Sequence, residues 1–179
     1  FADEELIPRE VEAELNEGRL PPEVEKRHKR LAIELGFSAM DVPKSRGGRE
    51  ARIVDQVAVW EQFGRVTNAL CWCFSEAQSW MFEACTEDQL RRFILPLASG
   101  ARKECYAITE EHAGSGLGDL RATATRDGDD YVLNGVKWHV TSFNLADYVF
   151  VQARLVGGEH DGDHVLLVVP YGKVTQTQV

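Results

Sequence analysis

The sequence predicts an α+β protein, with an N-terminal all-helical domain followed by an antiparallel β-domain. Up to about residue 102, apolar residues recur at helical spacing between proline, glycine and capping signals. From Cys105 onward the period drops to two, and turn residues separate short apolar runs. Asn134-Gly135 adds a pair suited to a two-residue hairpin, because both positions tolerate positive φ. The expected division is residues 1–102 and residues 103–179, the latter incomplete at its C-terminus.

The elements follow in order. Leu6, Val11 and Leu15 leave a sparse apolar stripe among acids. Pro21-Pro22 opens a second helix that points Val24, Leu31, Ile33 and Leu35 to a core and closes at Gly36. Phe37 to Gly48 is a loop punctuated by Pro43 and Gly47-Gly48. A third helix starts near Arg49 and places Ile53, Val57, Trp60, Phe63 and Val66 on one face. Ala69 to Ala84 reads as a buried helix, apolar all round, with Trp72, Phe74, Trp80, Met81 and Phe82. Thr86-Glu87-Asp88-Gln89 is a capping box for a short fifth helix ended by Pro96 and Gly100. Strands are expected at Arg121–Arg126, Tyr131–Leu133, Val136–Thr141, Tyr148–Leu155 and Val165–Val169.

Composition removes several function classes. A net charge of −9 argues against nucleic acid, whose backbone demands clustered Lys and Arg. The densest basic run, Lys26 to Arg30, lies among glutamates and reads as a solvated helix face. No apolar run approaches the roughly 20 residues of a membrane span, and no secretory signal is present. The four cysteines form no C-x-x-C pair and have no histidines at zinc spacing, so free thiols in a cytoplasmic protein are expected. Phe1 is not an initiator Met, and Lys173 to Val179 stops inside strand-like sequence; both ends read as cuts in a longer polypeptide.

The chemistry concentrates where the first strand ends. In Thr109-Glu110-Glu111-His112-Ala113-Gly114-Ser115-Gly116, small residues let backbone N–H groups converge on an anionic ligand. A dinucleotide-fold reading of Gly114-Ser115-Gly116-Leu117-Gly118-Asp119 fails at Asp119, where a third glycine is required, and hairpins follow rather than a strand–helix–strand unit. Glu110 invites a catalytic-base reading. His112 reads as a loop residue. Asp127, Asp129, Asp130, Asp161 and Asp163 read as turn formers, because a calcium loop needs longer and more regular ligand spacing.

Ala107-Ile108-Thr109-Glu110-Glu111-His112-Ala113-Gly114-Ser115 and Val132-Leu133-Asn134-Gly135-Val136-Lys137 resemble the middle domain of the acyl-CoA dehydrogenase family. The Phe37–Gly48 loop and Leu90–Gly100 are similar to its upstream segments, so the resemblance runs in order over nearly the whole chain. It implies an FAD-dependent oxidoreductase that desaturates an acyl-CoA thioester at Cα–Cβ, with hydride passing to flavin N5. By the resemblance Tyr106, Ile108 and Thr109 line the flavin ring. Gly114 and Ser115 meet the nucleotide, or Ser115 the pantetheine of CoA. Thr141 reaches N5.

Two positions depart from the family. Gly116 stands where the family has Asp, with Asp119 close by, and His139 stands where an aromatic ring stacks on the flavin. If Val136–Thr141 is a strand, Trp138 points to the face opposite His139. By the resemblance the family's catalytic base lies in a third, helical domain, so no catalytic residue is expected among these residues, and Glu110, whose family counterpart is not the base, is expected to be a loop-organising carboxylate. The resemblance further implies an electron-transfer flavoprotein or similar acceptor and a homotetramer. The alternatives are a non-catalytic subunit of a heteromeric enzyme and an oxygen-using flavoenzyme on the same fold.

Overall fold

The computed structural model describes residues 1–174, apart from the side chains at 68 and 69. The strand-like sequence at 175–179 lies outside them. The chain forms two compact units that meet between Arg102 and Lys103.

The first unit is helical: α1 (Glu10–Glu14), α2 (Pro22–Glu34), α3 (Ile53–Phe63), α4 (Asn68–Cys71), α5 (Ser79–Ala84), α6 (Glu87–Gln89) and α7 (Leu95–Ala98). Its core gathers Leu6, Ala13, Leu20, Ala32, Phe63, Val66 and Phe74. Phe37 packs edge-on against Phe63 with centroids 5.3 Å apart. The capping box forms as expected: Thr86 Oγ1 accepts from Gln89 N, and Gln89 Oε1 accepts from Thr86 N. A π-helical turn, Leu90–Ile94, joins α6 to α7 just ahead of Pro96, which has no N–H to continue the ladder.

Several expectations for this unit are corrected. Residues 69–84 do not form one buried helix. Ala77 N donates to Ser38 O at 2.8 Å and Ser79 N to Asp41 Oδ2 at 3.0 Å, so the 38–41 loop draws out the backbone between α4 and α5. Trp72 and Trp80 are consequently 55% and 42% exposed. The third helix begins at Ile53 rather than near Arg49, because Arg49, Glu50 and Ala51 donate to the carbonyls of Ala39, Val42 and Met40. Its first half then faces outward, with Ile53, Val54 and Val57 exposed. Val11, Leu15 and Leu35 are exposed too. Within the basic run His28 turns inward and is buried, 3.8 Å from Glu5, while Arg27 pairs with Glu5 at 2.6 Å.

The second unit holds β1 (Glu104–Ala107), β2 (Thr123–Asp127), β3 (Asp130–Asn134), β4 (Tyr148–Val156) and β5 (His164–Pro170). The sheet is mixed, not antiparallel as the hairpin signals suggested. β1 and β2 both run parallel to β4, whereas β3 pairs antiparallel with β2 and β5 with β4. β4 is the central strand. Cys105, Ala107, Val149 and Val151 lie on one face with Leu133, Val140, Phe143 and Val169; Ala122, Ala124 and Ala153 form a second cluster with Leu133, Leu155 and Leu167. Tyr148 and Phe150 are buried as well, so β4 is covered on both sides.

The expected strand at Val136–Thr141 does not form, and Asn134-Gly135 makes no hairpin. β3 ends at Asn134, and the chain instead crosses over Ala122 at Gly135, where φ is +155°. A Cβ there would stand 2.6 Å from the Ala122 Cβ. All four cysteines are free. Cys105 is buried, and burial, with the nearby Glu104 charge, pushes its thiol up to about 11.

Gly48 tests the close packing of the 37–51 loop, because a Cβ there would fall on the Val42 carbonyl oxygen, a backbone atom that cannot step aside. Gly48→Ala is expected to destabilise the protein by about 1–3 kcal/mol, read by denaturant unfolding. A midpoint equal to that of the parent protein would contradict this packing.

Candidate functional site

β1 and β2 lie end to end along one edge of β4. Ala107 pairs with Val151, and the next partner along that edge is Thr123 opposite Arg154. Between the two strands the chain leaves the sheet as residues 108–122. This excursion carries the glycine-bearing segment at 109–116.

Glu110 closes it. The residue is 4% exposed. Its Oε2 accepts from Arg121 N at 2.7 Å and its Oε1 from Ala122 N at 2.9 Å, so the carboxylate fastens the start of the loop to its end. Oε1 also accepts from Lys137 Nζ at 2.8 Å. His112 Nε2 stands 3.4 Å from Oε2 on the exposed side. Burial alone would push the Glu110 carboxyl up. The Lys137 hydrogen bond, the Arg121 and Ala122 N–H groups and the Lys137 charge outweigh it, and bring the group from its ordinary 4.5 to about 2. The reading of Glu110 as a loop organiser agrees with this geometry, since both oxygens are committed to structural partners.

Lys137 reaches back from beyond β3. Its Nζ donates to Ile108 O at 2.9 Å as well as to Glu110, and Trp138 N donates to Thr109 O at 2.8 Å. Three contacts thus lay 137–138 alongside 108–110. Ile108 and Thr109 thereby come next to the start of the segment that carries His139 and Thr141, although 29 positions of sequence separate Ile108 from Lys137.

The remaining residues singled out from sequence are placed as follows. Tyr106 lies on β1, stacked on Phe150 of β4 with centroids 5.1 Å apart and ring planes 14° from parallel. Gly114 and Ser115 are exposed beyond the turn closed by mutual Glu110–Ala113 backbone bonds. A Cβ at Gly114 or at Gly118 would meet nothing within 4 Å, so the backbone there is open to approach. At Gly116 a Cβ would stand 2.8 Å from Asp119 Oδ2; the Asp119 carboxylate fills that space from the following turn.

His139 and Thr141 are exposed. His139 has φ +53°, a left-handed conformation uncommon outside glycine. The placement of Trp138 and His139 on opposite faces of a strand is therefore corrected: the two rings meet edge to face, 5.8 Å apart. Sequence reasoning included Lys137 in the family motif at 132–137 but gave it no role. Among the described residues no cluster of His, Cys, Asp or Glu could hold a metal ion, and no helix is long and apolar enough to cross a membrane.

The open, exposed backbone at Gly114 and Gly118 leaves room for a phosphate-bearing group, with the exposed Ser115 in the same loop, and nothing there conflicts with a flavin nucleotide. The exposed Trp138, His139 and Thr141 side chains supply ring surface and a hydroxyl.

Residues 1–101 match the family model described as acyl-CoA dehydrogenase, N-terminal domain, and residues 105–178 the one described as acyl-CoA dehydrogenase, middle domain. The caffeyl-CoA reductase-Etf complex subunit CarC of Acetobacterium woodii is 30% identical over 158 residues, 86% of this chain and 41% of that protein. Among solved structures, a glutaryl-CoA dehydrogenase from Mycobacterium smegmatis in complex with FADH2 superposes with a TM-score of 0.76 at 27% identity, over 95% of this chain and 42% of that one. The ChsE4-ChsE5 complex from Mycobacterium tuberculosis gives a TM-score of 0.74 at 27% identity, over 96% and 44%. The chain therefore spans about two fifths of the length of these relatives.

The buried carboxylate has a pH signature. Its folded-state pKa is depressed, so its contribution is fully present above about 4.5 and is lost as pH falls toward about 2. The shift corresponds to a contribution on the order of 3 kcal/mol. Glu110→Gln is expected to lower stability by a constant amount between neutral pH and about pH 5, with the gap to the parent protein closing at lower pH. Unfolding curves across that range check it, and a gap that does not change with acidification would contradict it.

Proposed function

Because the chain belongs to the acyl-CoA dehydrogenase family, we propose that its second unit binds FAD and that the protein desaturates an acyl-CoA thioester between Cα and Cβ. The observation that carries this reading is the joining of 108–110 to 137–138 through Lys137 and Trp138. It lays Ile108 and Thr109 against Lys137 and Trp138, the start of the segment that carries His139 and Thr141, and in this reading the flavin ring lies along that junction. FAD, when bound, supplies the hydride acceptor for such a reaction.

The chain's own residues have holding and orienting roles. The Thr109 and Thr141 hydroxyls would hydrogen-bond the polar edge of the ring, and Ile108 and Tyr106 would line it. Ser115, with the open backbone at Gly114, would take the phosphate-bearing part of the nucleotide or the pantetheine of CoA. Asp119 stands where it can supply the carboxylate that Gly116 lacks. The base that removes the α-proton must be a carboxylate in a desolvated pocket. Glu110 does not suit this role, because both oxygens are occupied and its low pKa makes it a poor proton acceptor. We place the base in the remainder of a longer protein, and read residues 1–102 and 103–179 as that protein's N-terminal and middle domains.

A named relative that is an Etf-complex subunit supports an electron-transfer flavoprotein as acceptor, and we propose a homotetramer in the cytoplasm on the family resemblance and the free cysteines. Three features favour a second reading, a non-catalytic subunit paired with an active homologue. By the resemblance His139 and Gly116 stand where the family has a flavin-stacking aromatic and an acid; His139 has a left-handed conformation; and a relative was solved as a complex of two named chains.

Full-length protein incubated with excess FAD and desalted is expected to keep a flavin absorbance band. A folded protein that emerges colourless would overturn the FAD site and leave the non-catalytic subunit.

A further inference from the structure

Resting on that reading of the second unit as an FAD site, we propose that Glu110 and Lys137 are a pair of positioning residues. Together they hold the backbone at 108–109 and the segment at 138–141 as one rigid edge against which the flavin is placed. Neither touches the flavin in this proposal; each acts through the backbone that it fixes.

The argument starts from what the pair costs. The side chains of Glu110 and Lys137 are 3% and 9% exposed. Two charges so far from water carry a desolvation penalty, and apolar residues of similar volume are often as stabilising as a buried ion pair. Stability alone therefore gives no reason for ions here. Direction does. The carboxylate orients two N–H groups, those of Arg121 and Ala122, at fixed angles, and the ammonium orients the Ile108 carbonyl. Apolar packing has no such directional hold.

The bonds also cross the right boundaries. Glu110 lies on the loop that follows β1, Arg121 and Ala122 lead into β2, and Lys137 lies beyond β3. These segments have no strand ladder between them at this point. Among the described residues the Trp138 N to Thr109 O bond supplements the pair. A binding site functions when its supporting groups hold it within about 0.5 Å of the productive geometry, and here the support converges on two side chains. His112 covers the carboxylate on its open side.

The experiment uses the full-length protein and reads FAD affinity by equilibrium titration, together with the visible spectrum and midpoint potential of the bound flavin. Lys137→Met and Glu110→Gln are expected to weaken FAD binding by about tenfold or more, with a changed spectrum and potential. Lys137→Arg keeps the charge but presents a planar fork in place of a point donor, and is expected to fold and to show a smaller change in the same direction. Leu97→Ala is the control, because it opens a cavity at a buried site in the helical unit. It should lower the melting temperature and leave the flavin's spectrum and potential alone.

If Lys137→Met and Glu110→Gln fail to fold, Lys137→Arg decides. Parental affinity, spectrum and potential in every variant that folds would overturn the pair while leaving the FAD site standing. So would a Leu97→Ala control that shifts the flavin as much as they do. A parent protein that binds no FAD overturns the functional reading, and the pair with it.

Discussion

The Glu110 carboxylate, enclosed by Lys137 Nζ and the backbone N–H groups of Arg121 and Ala122, is the constraint that joins the loop at 108–122 to the segment after β3 in the second unit. A carboxylate taken out of water is unfavourable unless its lone pairs are satisfied. Here they are, and the group stays ionised well into acid. The arrangement is asymmetric in energy. Removing one partner of such a pair costs about 3–5 kcal/mol, far more than the intact pair contributes over an apolar substitute. The loop is thus held by a device that tolerates little change at either end.

That device is needed because of the sheet's topology. β1 and β2 occupy the same edge of β4 in succession, so residues 108–122 must leave the sheet and return within it. Small side chains at Ala107, Ala122, Ala124 and Ala153 keep the sheet surface low, and Gly135 lets the chain after β3 pass directly over Ala122. The crossing delivers Lys137 to Glu110. The excursion and the crossing then lie side by side, and their outer surfaces carry the exposed Ser115, His139 and Thr141. Fold and site are one construction: a gap along a strand edge, spanned by a loop and fastened by a buried charge.

Much of this was legible in the sequence, through local signals. The capping box at Thr86, the Pro22 start of α2 and the change of period at Cys105 act within a few residues, and all three appear in the structure. What failed depended on distant partners. Asn134-Gly135 has the local preference for a hairpin, yet the strand that would have completed it is drawn to Glu110 and Thr109 instead. Residues 69–84 have helical composition, yet hydrogen bonds from the 38–41 loop open the middle. Parallel pairing of β1 and β2 with β4 carries no local signature at all. Within the site, the glycine-bearing loop and Lys137 were both legible by motif, whereas the role of Lys137 was not, because nothing in the local sequence announces that a lysine will be buried against a carboxylate 27 positions away.

The central claim is that the Glu110 carboxylate fastens the loop through the Arg121 and Ala122 amides. Amide hydrogen exchange measures this directly, since Arg121 is otherwise an exposed residue outside the strands. The account expects both amides to be protected to a degree comparable with β4, and expects that protection to fall in Glu110→Gln while β4 amides remain slow. Exchange of Arg121 and Ala122 at the rate of an open loop in the parent protein would contradict it.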